Sequence, residues 1–589
     1  VELQIREGGT GSWETIGEEK IDPMSRTAVF RIENWNSEID IPYRLLYDLY
    51  NKNGVKEYLY EGTVRKEPLA GDEIVVAGFT GNNDLGFPNN EIVRHLKYHD
   101  PDLMFFSGDQ IYEGVGGFGV QRAPVDKACL DYLRKWYLLG WSFSELMRDR
   151  PAVCIPDDHD VYHGNVWGQG GKATDNTGDG AYQQDSGGYK MPPEWVNMVQ
   201  RTQTANLPDP YDPAPVLQNI GVYYCNMNYG GISFAVIEDR KFKTAPKALV
   251  PKGEIWNGWP QSDNFNAAEE SDVPGAVLLG ERQLGFLKDW ASDWSYGTWM
   301  KVLLSQTIFA NVATLPEDAK SGAVIPGLPI LEKAGYAENE KIVNDFDSNG
   351  WPQTGRKKAL REMRKAFAFH IAGDQHLGST IQYGVDTWRD AGFAFCVPAV
   401  SNIWPRRWYP PYPGGNRESG SPEYTGDYRD GFGNYMTVHA VSNPYRTGKI
   451  PVNLYDRATG YGIIRFKKED RTIMIECWPR WSDPSLPDAE QYPGWPITVS
   501  QFDNYGRQPE GFLPLLEITG ITDPVVQVIN RKDNEIVYTI RIKGSEYRPK
   551  VFEQGEYTIR IGEPDTGQIR VFGDIRSTTG ETGVIKVEF

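Results

Sequence analysis

Leu103-Met-Phe-Phe-Ser-Gly-Asp-Gln-Ile-Tyr112 holds the key to this chain. Residues 103–106 are an apolar run of strand length, and the chain turns polar at once with Ser107, Gly108, Asp109 and Gln110. The same switch recurs along the sequence. Residues 74–79 run into Thr80-Gly81-Asn82-Asn83-Asp84, and 152–155 run into Asp157-Asp158-His159-Asp160. Residues 232–237 run into Glu238-Asp239-Arg240, and 366–371 run into Gly373-Asp374-Gln375-His376. Between these strands, and the apolar run 300–304, lie amphipathic stretches that predict helices over 90–98, 125–139, 281–290 and 355–367. Strand–helix alternation across 73–482 predicts an α/β layer architecture.

Ligands of α/β sheets bind at the carboxyl ends of the strands. If the strands are mutually parallel, the five polar loops share one edge and several carboxylates come within a few ångström. Like charges so placed repel strongly, and a bound cation relieves the repulsion. The chain has seven His, only three of them in or beside these loops, so the donors are mainly carboxylate, amide and phenol oxygens. Such donors suit Ca²⁺, Mg²⁺, Mn²⁺ or ferric iron. A metal pair would be consistent with phosphoester hydrolysis.

Each residue also has a plain structural reading. Asp109 fits a turn cap, residues 157–160 a solvated acidic loop, Tyr112 simple packing, His163 a structural histidine and Arg240 an ion pair. What weighs against these readings is their joint position after strands. No Gly-x-Ser-x-Gly elbow and no Gly-Lys-Ser/Thr phosphate loop occurs. The glycine-rich stretches 114–119 and 168–185 read as loops that shape substrate entry.

Outside 73–482 the chain reads as β-structure. Residues 1–72 contain short aromatic strands such as 27–32 and 43–50. The stretch 405–430 reads as a long Pro-, Gly- and Tyr-rich loop, and 483–516 as a Pro-rich linker. Segments 526–529, 535–542, 557–561 and 584–589 predict a small C-terminal sandwich over 517–589.

Composition sets further bounds. Of 589 residues 40% are hydrophobic, enough for a sizeable core, and the 18 Trp and 32 Tyr are expected mainly in core and pocket walls. A net charge of −19 repels the nucleic-acid backbone, so no stable nucleic-acid partner is expected and any phosphate must be drawn by local cations. Five scattered Cys without a CxxC pair argue against a disulfide framework. No apolar run reaches the roughly 18 residues of a transmembrane segment. The start at Val1 is consistent with a removed leader, and an exported location (periplasmic, cell-surface or extracellular) is the expectation. Oligomeric state is not legible.

The loops resemble the PhoD-like (alkaline phosphatase D) family of calcineurin-like metallophosphatases. The segments that carry the resemblance, in order, begin with Phe106-Ser-Gly-Asp-Gln-Ile-Tyr-Glu113, Pro156-Asp-Asp-His-Asp-Val161 and Glu238-Asp-Arg-Lys-Phe242. Gly280-Glu-Arg-Gln-Leu284, Ser305-Gln-Thr307 and Gly373-Asp-Gln-His376 follow. The resemblance covers roughly residues 1–482. It implies a metallophosphatase-like layered β-sandwich flanked by helices, with a β-sandwich N-terminal domain; the C-terminal β-sandwich domain read above lies outside it. It implies metal ligation by Asp109, Tyr112, Asp158, Asp374 and His376, with calcium and ferric iron as the metals and Mn²⁺ or Mg²⁺ as alternatives. His159 would protonate the leaving group and Arg240 would hold the phosphate with its guanidinium fork. The family's first motif carries a Cys ligand, whereas Thr80-Gly81-Asn82-Asn83 has none; Asn82 or Asn83 would stand in as an oxygen ligand. The implied reaction is in-line attack on a phosphoester by a metal-bound hydroxide. Mono-, di- and sulfate esters remain open as substrates. A binding or surface protein with a degenerate site is the alternative from another class.

Overall fold

The computed structural model describes residues 1–9, 11–69, 73–175, 180–580 and 583–589. Its centre is a pair of sheets. The first has seven strands. Glu73–Asn82, Leu103–Phe106 and Ala152–Cys154 run parallel, and Gly460–Lys467, Thr472–Pro479 and Ile497–Ser500 extend the sheet antiparallel on the other side. Ala399–Ser401 pairs parallel with the end of Glu73–Asn82. The second sheet has eight strands, in which Ile232–Val236, Met300–Thr307, Phe369–Gly373 and Phe393–Cys396 form a parallel group. The polar loops therefore leave two parallel groups in two different sheets, not one edge of a single sheet.

One core joins the sheets. Ile74, Val76, Phe105 and Ile464 of the first meet Phe234, Val302, Leu304, Ile371 and Phe395 of the second. The close approach has a local cause. Gly78 and Gly462 are register partners on neighbouring strands. A Cβ on Gly78 would lie 2.7 Å from Val397 Cγ1, and one on Gly462 would lie 2.5 Å from the Phe395 ring. The paired glycines leave a hollow that Phe395 and the adjoining Val397 fill from the opposite side.

Helices cover the outer faces. Asn90–His99 and Val125–Met147 place Ile92, Leu96, Leu139 and Phe143 on Ala77, Phe79, Met104 and Phe106. Gly280–Ser292 and Gln353–Lys365 place Phe286, Leu287, Leu360 and Met363 on Ala235, Leu303 and Ala394. A fully buried Leu or Phe is worth about 1.5–3 kcal/mol over an exposed one.

The ends of the chain are β-structure, with differences from the sequence reading. Residues 27–32 run without a ladder partner; the N-terminal sheet is built from Glu2–Ile5, Glu14–Glu18, Ile41–Asn51 and Gly54–Val64. Within 483–516, Ile497–Ser500 adds a strand to the seven-stranded sheet, and Tyr492 and Trp495 are buried in the shared core, because the aromatic anchors outweigh the prolines. The loop read over 405–430 ends in the strand Gly426–Arg429. The C-terminal sheets of three and four strands share a core with Trp294, Phe367 and Tyr505. Gln568–Arg576, a strand with a largely exposed face, has no apolar run and went unread.

Candidate metal centre

The loop after Leu103–Phe106 is set by Gly108, which has φ 137° and where a Cβ would lie 2.4 Å from the Asp157 Cβ. Only glycine lets this loop rest on the 157–160 loop. Asp109, Asp374 and His376 then take φ 55°, 65° and 53°, in the left-handed region that non-glycine residues seldom occupy. Such residues cost of order 1–3 kcal/mol each and persist where the surroundings fix them. Here Asp160 does the fixing. Its Oδ2 accepts the backbone N–H of Asp109 at 2.8 Å and of Asp157 at 2.9 Å, and its Oδ1 accepts Gln203 Nε2 at 2.9 Å. From the second sheet, the Asp374 N–H donates to Thr80 Oγ1 at 3.0 Å.

The other motifs of the resemblance serve as anchors. Gln306 Nε2 donates to the Pro156 carbonyl at 3.0 Å, and the N–H groups of Gln306 and Thr307 donate to Asp239 at 2.9 and 3.1 Å. Gln283 accepts the Glu238 N–H at 2.8 Å and donates to the Glu238 carbonyl at 3.0 Å.

Asp109, Tyr112, Asp158, His159, Asp374 and His376 all line one cavity of about 250 Å³. Candidate ligand atoms of Asp109, Asp158 and His159 lie within 4.8 Å of one another, as do those of Asp157, Asp158 and Asp374. Burial pushes the Asp109 carboxyl up to about 8, with Asp157, Asp160 and Asp374 adding to the rise and His159 opposing it. Burial, with Asp109 beside it, also holds Asp158 well above the carboxylate range. Asp374 stays low despite burial, because Arg240, Arg406 and His376 face it. Asp109 Oδ1 and the Tyr112 hydroxyl are buried with no hydrogen bond. An orphaned carboxylate oxygen among crowded acids costs free energy unless a cation sits there, so this hard-oxygen set fits metal ions. Asp109, Tyr112, Asp158, Asp374 and His376, which line the cavity together, are the residues that could hold them.

Three expected residues stand elsewhere. Arg240 is buried behind the cavity and spent on three carboxylates: Asp157 at 2.7 Å, Asp347 at 2.8 Å and Asp374 at 2.9 Å. Its fork neutralises the acids of the site and is not free to clasp a phosphate. Asn82 and Asn83 line a separate small pocket. Asn82 ends the strand Glu73–Asn82, where its Oδ1 accepts from Asn89 at 3.1 Å and its Nδ2 donates to the Gln110 carbonyl at 3.3 Å. Asn83 Oδ1 caps the following turn by accepting the Leu85 N–H at 3.1 Å.

Other residues went unread. Glu113 accepts from His159 Nδ1 at 2.7 Å, which leaves Nε2 available. Burial would lower the His159 pKa, but Glu113, Asp158 and Asp109 raise it well above the ordinary value. Glu113 ends the quoted motif, and its acid beside Tyr112 was the signal. Arg406 lines the cavity, with Nη2 on Asp345 at 2.7 Å and Nη1 donating to Gln375 at 3.3 Å. It stands at the head of the stretch read as loop, and no local pattern marked it. Asp345 and Asp347 also line the cavity, just after the short strand Glu340–Ile342, whose charged residues form no apolar run that would mark it in the sequence. The stretch 114–119 lies next to Glu113; part of 168–185, residues 176–179, lies outside the described residues.

A model of the PhoD-like phosphatase family matches residues 79–405. No curated protein matches the chain by sequence. Among solved structures the chain is similar to PhoD, with a TM-score of 0.51 and 13% identity over 100% of this chain and 87% of that one. It is similar to the purple acid phosphatase PPD1 from yellow lupin (Lupinus luteus) seeds at TM-score 0.41 and 12% identity, over 85% and 69% of the two chains. A dimetal phosphatase from Danio rerio follows at TM-score 0.32 and 8% identity, over 72% and 99%.

Proposed function

The chain belongs to the PhoD-like phosphatase family, and on that premise we propose that it hydrolyses phosphoesters by direct in-line displacement in the cavity of Asp109, Asp158 and Asp374. The carrying observation is the meeting of these buried carboxylates from two sheets with His159 beside them. Metal ions held there would supply positive charge and acidify a water molecule; calcium with ferric iron is our reading of the pair. The chain's own groups do the rest. Arg406 replaces Arg240 as the cation that faces the phosphoryl oxygens. His159, held protonated by Glu113 and the neighbouring acids, gives its proton to the departing oxygen. Asp160 and Thr80 position the acids without touching substrate. Arg240 reduces the mutual repulsion of Asp157, Asp347 and Asp374.

We read the two sheets as the layers of a metallophosphatase sandwich and the protein as exported. Among the described residues no helix is long and apolar enough to cross a membrane. The test is elemental analysis of the native protein, then assay with Ca²⁺, Mn²⁺ or Fe³⁺ on chromogenic phosphate mono- and diesters and sulfate esters. Bound metal with phosphoester turnover supports the reading. Absence of turnover with every metal would sink it and favour a binding protein.

A further inference from the structure

The cavity has two kinds of wall. Beside the acids it is lined by Trp259, Ile403 and Trp404. Trp256-Asn257-Gly258-Trp259 is a two-residue hairpin in which Trp256 and Trp259 exchange backbone hydrogen bonds of 3.0 and 2.9 Å. Its central residues have φ 49° and 80°, the left-handed pair that Asn-Gly supplies in a type I′ turn. Buried Asp185 accepts both central N–H groups, at 2.6 and 3.1 Å, and Asn165 Nδ2 donates to the Asn257 carbonyl at 3.0 Å. Trp259 is thus held in one place, 6% exposed, on Ala313, Leu315, Ile325 and Val343. Trp404 packs on the same cluster. Its N–H donates to Asn402 Oδ1 at 3.0 Å, the oxygen that also meets His376 Nδ1 at 3.1 Å. Arg406 follows two residues later, so the apolar wall and a cation that lines the cavity ride on one segment.

The indole faces and Ile403 remove water and give nothing back to a hydroxyl. Of the neighbouring asparagines, Asn165 Nδ2 and Asn257 Oδ1 are already taken by protein partners, which leaves one end of each amide for a polar group. A polyol ester group placed there loses hydrogen bonds to water, whereas a ring gains burial and contact with fixed indoles. We propose that the Trp259–Trp404 wall receives the ester group of the substrate and selects phosphoesters of aromatic or other apolar alcohols over those of polyols. The proposal rests on the hydrolase reading.

The experiment pairs benzyl phosphate with glycerol 1-phosphate, both esters of primary alcohols. It also measures binding of benzylphosphonate and 2,3-dihydroxypropylphosphonate to the metal-loaded protein by calorimetry. We expect kcat/KM to favour the benzyl ester by at least about 10-fold, falling to within about 3-fold in Trp404→Ala and Trp259→Leu, with binding constants moving in parallel. If Trp259→Leu fails to fold, the wild-type ratio and Trp404→Ala decide. Equal turnover of both esters, or a benzyl preference kept in Trp404→Ala, overturns the wall and leaves the hydrolase reading intact. Preferential benzylphosphonate binding without any turnover does the reverse. Absence of a binding preference overturns the wall whatever the turnover.

Discussion

His159 lies between Glu113 at its Nδ1 and the acids of the cavity, and the two sides act on it alike. Replacing Glu113 with Gln removes one of the charges that raise the imidazole pKa. An acid that loses its proton sooner loses its rate sooner, so the alkaline limb of the kcat profile in Glu113→Gln should move to lower pH, with kcat down roughly 10-fold. An unmoved limb would end the case for the pair. His159→Ala should lower kcat by about 10²–10⁴-fold while elemental analysis finds the metal retained. At Asp109 the backbone sits at φ 55°, which Asn tolerates, so Asp109→Asn isolates the charge from the strain. Loss of bound metal with an unchanged circular-dichroism spectrum is expected; full metal occupancy would remove Asp109 from the ligand set. At this scale the sequence was informative where residues follow strands, as Asp109, Asp158 and Asp374 do. It misled where one residue type serves two ends: Arg240 is a cation turned inward to its own carboxylates, and nothing local separates it from Arg406, which lines the cavity.

Among the elements, the buried strands and amphipathic helices of residues 73–482 were legible because their periodicities reflect the faces they bury. Gly280–Ser292 and Gln353–Lys365 lie within a few residues of the stretches read as helices. The division of the parallel strands between two sheets was not legible, since pairing partners leave no local trace. It is written instead in Gly78 and Gly462, whose missing side chains admit Val397 and Phe395. Gly78→Ala should therefore lower stability by about 1–3 kcal/mol through overpacking, read as a fall in the urea midpoint. A midpoint equal to wild type would mean that the sheets yield there without strain.

For the whole molecule, buried neutral histidines set the acid limit. Burial holds His370 at about 3, and burial with Arg465 holds His99 at about 3. The unfolded chain takes up these protons near the ordinary value of about 6.5. Stability is therefore full above that value and falls as pH drops from 6.5 towards 3. At pH 5 each group costs about 2 kcal/mol. Urea midpoints at pH 7 and pH 5 test this: the midpoint should fall in wild type and fall less in His99→Gln, which lies away from the cavity beside Tyr461.

The C-terminal strands grip the segment between the helix Gly280–Ser292 and the strand Met300–Thr307. Arg541 donates to the carbonyls of Thr298 at 2.6 Å and Trp294 at 3.1 Å, and Asp565 accepts the N–H groups of Tyr296 and Gly297 at 2.6 and 2.7 Å. Shortening the gene so that translation stops before residue 515 would strip the cover from Trp294 and Phe367. The remnant would carry an oily scar on its flank, and we expect it to clump on gentle warming, visible as turbidity well before its active centre unravels.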